Sequence, residues 1–161
     1  MIVIGVGSEL RRDDGAGLAV VDELRGRCPP GVRLVTCDGE PTRVMDLWAD
    51  EDLAVVVDAV SPACGPGHVH EATDLPTASR ADTSCHGMSL GLAAELGRVL
   101  NRMPHGLRVY GIEGVDFGFG AGLSPPVRRA VTEVADRIAD LVRQTARHRE
   151  RPRPDQDGST G

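Results

Sequence analysis

The chain has 161 residues, 40% of them hydrophobic and 26% charged, with a net charge of −6. That is the balance of one soluble α/β-sized domain, and it disfavours a phosphate-backbone partner. Aromatics are only 2%, so stacking platforms for single-stranded nucleic acid are nearly absent, and all 18 basic residues are arginine. Without lysine there can be no Walker A loop, Schiff-base cofactor or lysine general base. No apolar run is long enough to span a membrane, and Met1–Val6 lacks the basic start and long apolar core of a secretory leader. Cys28, Cys37, Cys64 and Cys85 form no CxxC pair and read as reduced thiols in a cytoplasmic protein.

In chain order, Ile2–Val6 predicts a buried first strand. Asp13 and Asp14 then precede a helix carrying Leu18, Val21 and Leu24, where a carboxylate suits the positive end. Val32–Cys37 predicts a second strand, ended by Asp38-Gly39-Glu40-Pro41, and a short helix follows with Val44, Leu47 and Trp48. Leu53–Val60 is the clearest buried strand, and His68–Glu71 reads as another short one. Residues 72–84 predict a long loop, and a helix runs from about Gly87 to Leu100. Leu107–Ile112 is the last strand. Pro125 and Pro126 open a final helix striped by Val127, Ala130, Val131, Val134, Ile138 and Leu141. Strands alternating with helices predict a three-layer α/β/α sandwich with a mainly parallel twisted sheet of about five strands. That domain is expected over residues 1–146, followed by a disordered Arg-, Pro- and Asp-rich tail at 147–161.

Ligands of open α/β sheets gather at the carboxyl ends of the strands. Asp13 and Asp14, Asp38 and Glu40, and Asp58 all fall there, and His86 enters the helix after the long loop. Asp58 interrupts a strand otherwise fit for full burial, which costs several kcal/mol unless the carboxylate is paired or bound to a metal. Asp14, Asp58 and His86 together make an O,O,N set suited to a borderline divalent ion such as nickel or zinc, with coordination positions left open.

Rival readings are weaker. His68 and His70 share one face of a strand, and a solvated edge accounts for them more simply than a second metal site does. Cys85 beside His86 is no thiol dyad on sequence adjacency alone. Gly5-Val6-Gly7 lacks the third glycine of a dinucleotide fingerprint, and its loop is acidic. A nucleotide-binding Rossmann-like module is therefore the poorer alternative. Phe117–Gly122 reads either as a connector or as a flexible wall that docks a partner chain.

The ordered set Gly5-Val6-Gly7-Ser8-Glu9-Leu10-Arg11-Arg12-Asp13-Asp14-Gly15-Ala16-Gly17, Asp38-Gly39, Val55–Val60 with Asp58, Thr83-Ser84-Cys85-His86, Gly111-Ile112-Glu113 and Leu123–Val127 resembles the nickel-iron hydrogenase maturation endopeptidases over residues 1–143. Ser8, Glu40 and Gly114 depart from that family's usual asparagine, glycine and proline. The resemblance implies an enzyme that removes a C-terminal extension from the nickel-loaded large-subunit precursor. Asp14, Asp58 and His86 would contact the nickel, the substrate would supply it, and Asp38 would be an accessory acid near the cut. The hydrogenase large-subunit precursor is the implied partner, with neither nucleic acid nor membrane. A non-cleaving nickel checkpoint or chaperone remains the other reading of the same trio.

Overall fold

A computed structural model describes the backbone of residues 1–75 and 85–150, and the side chains of 1–75 and 90–148. Five strands, β1 (Ile2–Val6), β2 (Arg33–Cys37), β3 (Ala54–Val60), β4 (Val69–Ala72) and β5 (Leu107–Glu113), form one sheet in the order β2-β1-β3-β5-β4. All pairings are parallel except that of β4, which runs antiparallel along the outer side of β5. Four helices cover the sheet: α1 (Ala16–Leu24), α2 (Pro41–Trp48), α3 (Cys85–Val99) and α4 (Pro125–Glu150).

The central strands are buried on both faces, so their side chains divide by alternation between two cores. Val55, Val57 and Ala59 join Val20, Val21 and Leu24 of α1 and Val131, Val134 and Ile138 of α4. Ala54, Val56, Ile2, Ile4 and Val6 join Val44 and Trp48 of α2 and Leu90, Ala93 and Ala94 of α3 on the other face. The predicted three-layer sandwich with a mainly parallel sheet is the observed fold.

α4 continues to Glu150, four residues beyond the expected domain end at 146. Its basic side chains carry no apolar stripe there, but a helix already nucleated over six turns propagates at little cost. Residues 76–84 of the expected long loop and 151–161 of the expected tail lie outside the described residues.

One element has no counterpart in the sequence reading. Residues Arg12–Gly15 form a single 3-10 turn that delivers the chain into α1. The N-cap of α1 is Gly15, and no side chain caps it, so neither Asp13 nor Asp14 is the predicted helix cap. The glycines around this turn serve close packing. A Cβ on Gly7, whose φ is 138°, would lie 1.8 Å from the carbonyl oxygen of Asp14. A Cβ on Gly17 would lie 2.4 Å from the carbonyl oxygens of both Val57 and Val6. The start of α1 thus rests directly on the backbones of β1 and β3, and the glycine pattern follows from that contact.

Candidate functional site

Four charged side chains are buried among the described residues: Asp13, Asp14, Asp58 and Glu113. All four lie at the carboxyl edge of the sheet, and they divide into two kinds.

Asp13 and Glu113 hold loops. The Oδ2 of Asp13 accepts the N–H groups of Val115 and Asp116, and its Oδ1 accepts that of Ser124. Burial alone would raise its carboxyl, but these donors win and hold it below the ordinary aspartate value. Glu113 accepts N–H groups from Ala63, Cys64 and Gly65, and its Oε1 lies 2.6 Å from Nε2 of His70. Burial again pushes upward. The Gly65 and Cys64 donors, with His70 and Ala63, hold the Glu113 carboxyl well below the usual carboxylate range.

Asp14 and Asp58 stand where neighbouring strands end. Asp58 follows Val57, the residue paired with Gly5 of β1, and alternation turns it toward the face covered by α2 and α3. Only 1% of Asp58 and 4% of Asp14 is exposed. Asp58 Oδ1 accepts the N–H of Ala59, its own neighbour, at 2.8 Å. Asp14 is carried by the 3-10 turn, which packs against β3, and its carbonyl lies over Gly7 at the end of β1.

Asp38 lies just beyond Cys37, the last β2 residue paired with β1. It is exposed, and its Oδ1 accepts the N–H of Glu40 at 3.3 Å. Burial pushes the Cys37 thiol up against an opposing bond from Gly39, and the charges of Asp38 and Asp58 add to the rise. Asp38 follows β2 and Asp58 lies near the end of β3, the two strands flanking β1, so both stand at the carboxyl edge. Glu40, a second strand-end acid in the sequence reading, has a structural task instead. It is the N-cap of α2 and accepts the N–H groups of Thr42 and Arg43.

His86 is the second residue of α3. That helix leads back to the amino edge, where Gly106 accepts the N–H of Ala54, so its first turn stands at the carboxyl edge. α3 packs on β3, on the face toward which Asp58 turns. The side chains of Cys85 and His86 lie outside the described residues, as do Thr83 and Ser84.

Of the two readings of Phe117–Gly122, a connector or a flexible wall, the contacts of this loop favour a fastened connector. Arg11 and Gly120 form a parallel bridge, with Arg12 N–H donating to Gly120 and Gly120 N–H to Leu10. Arg12 and Asp116 add an exposed ion pair at 3.2 Å. Together with the Asp13 bonds, these contacts fasten the loop to the 3-10 turn.

The fold and this edge define a class. No protein-family model matches the chain. Among solved structures, it superposes on the hydrogenase maturating endopeptidase HybD from E. coli with a TM-score of 0.76 and 23% identity, covering 89% of this chain and 92% of that one. It also matches the [NiFe] hydrogenase maturation protease HybD from Thermococcus kodakarensis at 0.66 and 25%, covering 88% and 97%. The architecture is thus that of the hydrogenase maturation proteases.

Curated relatives point the same way. The hydrogenase expression/formation protein HupD of Thiocapsa roseopersicina is 26% identical over 159 residues, 93% of this chain and 72% of the relative. That of Bradyrhizobium diazoefficiens is 24% identical over 148 residues, 88% and 77% of the two chains. The resemblance carried by the sequence motifs is met again in both kinds of relative.

Proposed function

We propose that this chain is an endopeptidase that removes the C-terminal extension of a [NiFe] hydrogenase large-subunit precursor, in the cytoplasm, after nickel has been inserted. The observation that carries this reading is the pair of buried carboxylates, Asp14 and Asp58, at one edge of neighbouring strands. Two carboxylates at one edge offer the oxygen donors that a divalent cation takes. The first turn of α3, which carries His86, stands at the same edge, and this supports His86 as the imidazole of the set.

Nickel enters as part of the substrate. A precursor whose thiolates already hold the ion offers open coordination positions, and the oxygen and nitrogen donors of this chain would fill them. The nickel-free precursor gives Asp14 and Asp58 nothing to bind, so the preference for loaded substrate is a difference in affinity between two forms of one partner. Fastening by Asp13 keeps the 3-10 turn, and with it Asp14, from shifting when the substrate docks.

Two routes to the cut fit this arrangement. The substrate's ion polarises the scissile carbonyl, or Asp38 draws a proton from the attacking water. Exposure of Asp38 at the rim favours its access to water. Asp38→Asn separates the routes: an unchanged cleavage rate assigns activation to the ion, and a loss of roughly a hundredfold assigns it to Asp38.

The test of the reaction is the mass of the precursor after mixing with this chain. Loss of a short C-terminal peptide from nickel-loaded precursor alone is the expected result. Nickel-dependent binding without shortening would make the chain a checkpoint instead. Equal cleavage of loaded and nickel-free precursor would refute the metal-gated reading.

A further inference from the structure

We infer that Cys64, His68 and His70 form a second metal site, separate from the Asp14–Asp58 pair and suited to a borderline-soft divalent cation such as zinc. One ligand atom from each of the three lies within 4.8 Å of the others, and all three side chains are exposed. Around a tetrahedral zinc, sulfur and nitrogen donors stand about 3.5 Å apart. Side-chain rotations alone can close a gap of that size. The His68 and His70 rings already meet edge to face, with centroids 4.8 Å apart.

The cluster is held from beneath. Glu113 accepts the backbone N–H of Cys64 at 2.9 Å and stands 2.6 Å from Nε2 of His70, so one buried carboxylate positions two of the three donors. With Nε2 donating to Glu113, Nδ1 of His70 keeps its lone pair for an ion. A histidine whose second nitrogen is anchored by a carboxylate is the usual outer arrangement of a metal-bound imidazole. The backbone locks the rest: Glu113 N–H donates to the His68 carbonyl, Gly67 N–H to the Glu113 carbonyl, and His68 N–H to the Gly65 carbonyl. Gly67, with φ 76°, sits where a Cβ would come within 2.6 Å of the Pro126 carbonyl, so this connection is wedged against the start of α4.

One thiol and two imidazoles select zinc-class ions over magnesium or calcium, and a fourth position stays open. The site shares the face of Asp58, because His70 pairs with Gly111 and Gly111 with Asp58. Two strand spacings separate them, roughly 10 Å. That is a backbone spacing, so the variants below are chosen to tell the two sets apart.

The experiment is titration of the full chain with zinc against a chromophoric chelator, with cobalt(II) as a spectroscopic probe. Wild type and an Asp58→Asn, His86→Ala double variant should each bind zinc at this site and show a thiolate-to-cobalt charge-transfer band. Cys64→Ser should lose the band, and both it and His68→Ala should bind zinc at least about tenfold more weakly. Both positions are exposed, so an unchanged urea midpoint without metal verifies that the variants fold. A cobalt–thiolate band that survives Cys64→Ser, or zinc affinity within twofold of wild type in both variants, overturns the site. Loss of the band in the Asp58→Asn, His86→Ala variant would place the ion at the proposed nickel-reading edge and overturn it equally.

Discussion

Asp13 and Asp14 are consecutive in sequence, identical in side chain and both buried, yet they belong to different regions. Asp13, like Glu113, faces a loop and gathers distant backbone N–H groups, from residues 102 to 111 positions away for Asp13 and 48 to 50 for Glu113, so each is a crosslink. Asp14, like Asp58, stands where the strands of the sheet end. Asp58's bond to Ala59 ties together nothing distant. Within one four-residue turn, one buried carboxylate thus crosslinks loops, and its neighbour is the one the proposed function assigns to the substrate's ion. Burial by itself does not tell the two apart; the three loop N–H groups gathered by Asp13 mark it as the crosslink.

That contrast can be broken by exchanging roles. Asp58→Asn should lower nickel-dependent cleavage by roughly a thousandfold, about 4 kcal/mol, while the urea midpoint falls less than in Asp13→Ala, because the Asn Oδ1 still accepts the Ala59 N–H. Matching losses of activity and stability would erase the distinction. Asp13→Ala should do the reverse and destabilise by about 3 kcal/mol, since three N–H groups lose a charged acceptor. Its residual activity, measured well below its melting temperature, should remain within roughly tenfold of wild type. Gly17→Ala sharpens the geometric half of the argument. A Cβ 2.4 Å from two carbonyl oxygens must push α1 off the sheet, costing about 2 kcal/mol in urea unfolding.

The smallest effect is in acid. Glu113 and Asp13 have folded-state values below their unfolded ones, near 4.5 and 3.8. As pH falls through those values the unfolded chain takes up protons first. Their contribution is therefore complete above about pH 5 and is lost progressively below it. Glu113→Gln should flatten the fall in urea midpoint between about pH 5 and pH 2 relative to wild type.

Much of the fold was legible because the sheet is buried on both sides. The continuous apolar run Ile2–Val6 matches β1 to the residue, and β3 begins one residue after the predicted Leu53. β4, an exposed edge with no apolar pattern, lies one residue later than predicted. The 3-10 turn escaped notice because four residues carry no periodicity. The glycines at 7 and 17 were visible, but their reason is a tertiary contact between helix and strand backbones.

At the site, strand ends pointed to Asp14, Asp38 and Asp58. Nothing local separated Glu40, a helix cap, from those acids except the helix-start pattern Glu40-Pro41-Thr42 beside it. Glu113 was legible only as part of a motif. Its role depends on N–H donors nearly fifty residues upstream, brought to it by the antiparallel β4. The His68 and His70 pairing was visible as alternation, and what changes its reading is the same buried carboxylate beneath it.

The central claim is that Asp14 and Asp58 read the ion carried by the precursor. Its most direct test is the ratio of affinities for nickel-loaded and nickel-free large-subunit precursor, measured for wild type and for Asp14→Asn, Asp58→Asn. The account predicts a ratio well above tenfold for wild type that collapses toward one in the double variant. A ratio that stays high without either carboxylate would contradict it.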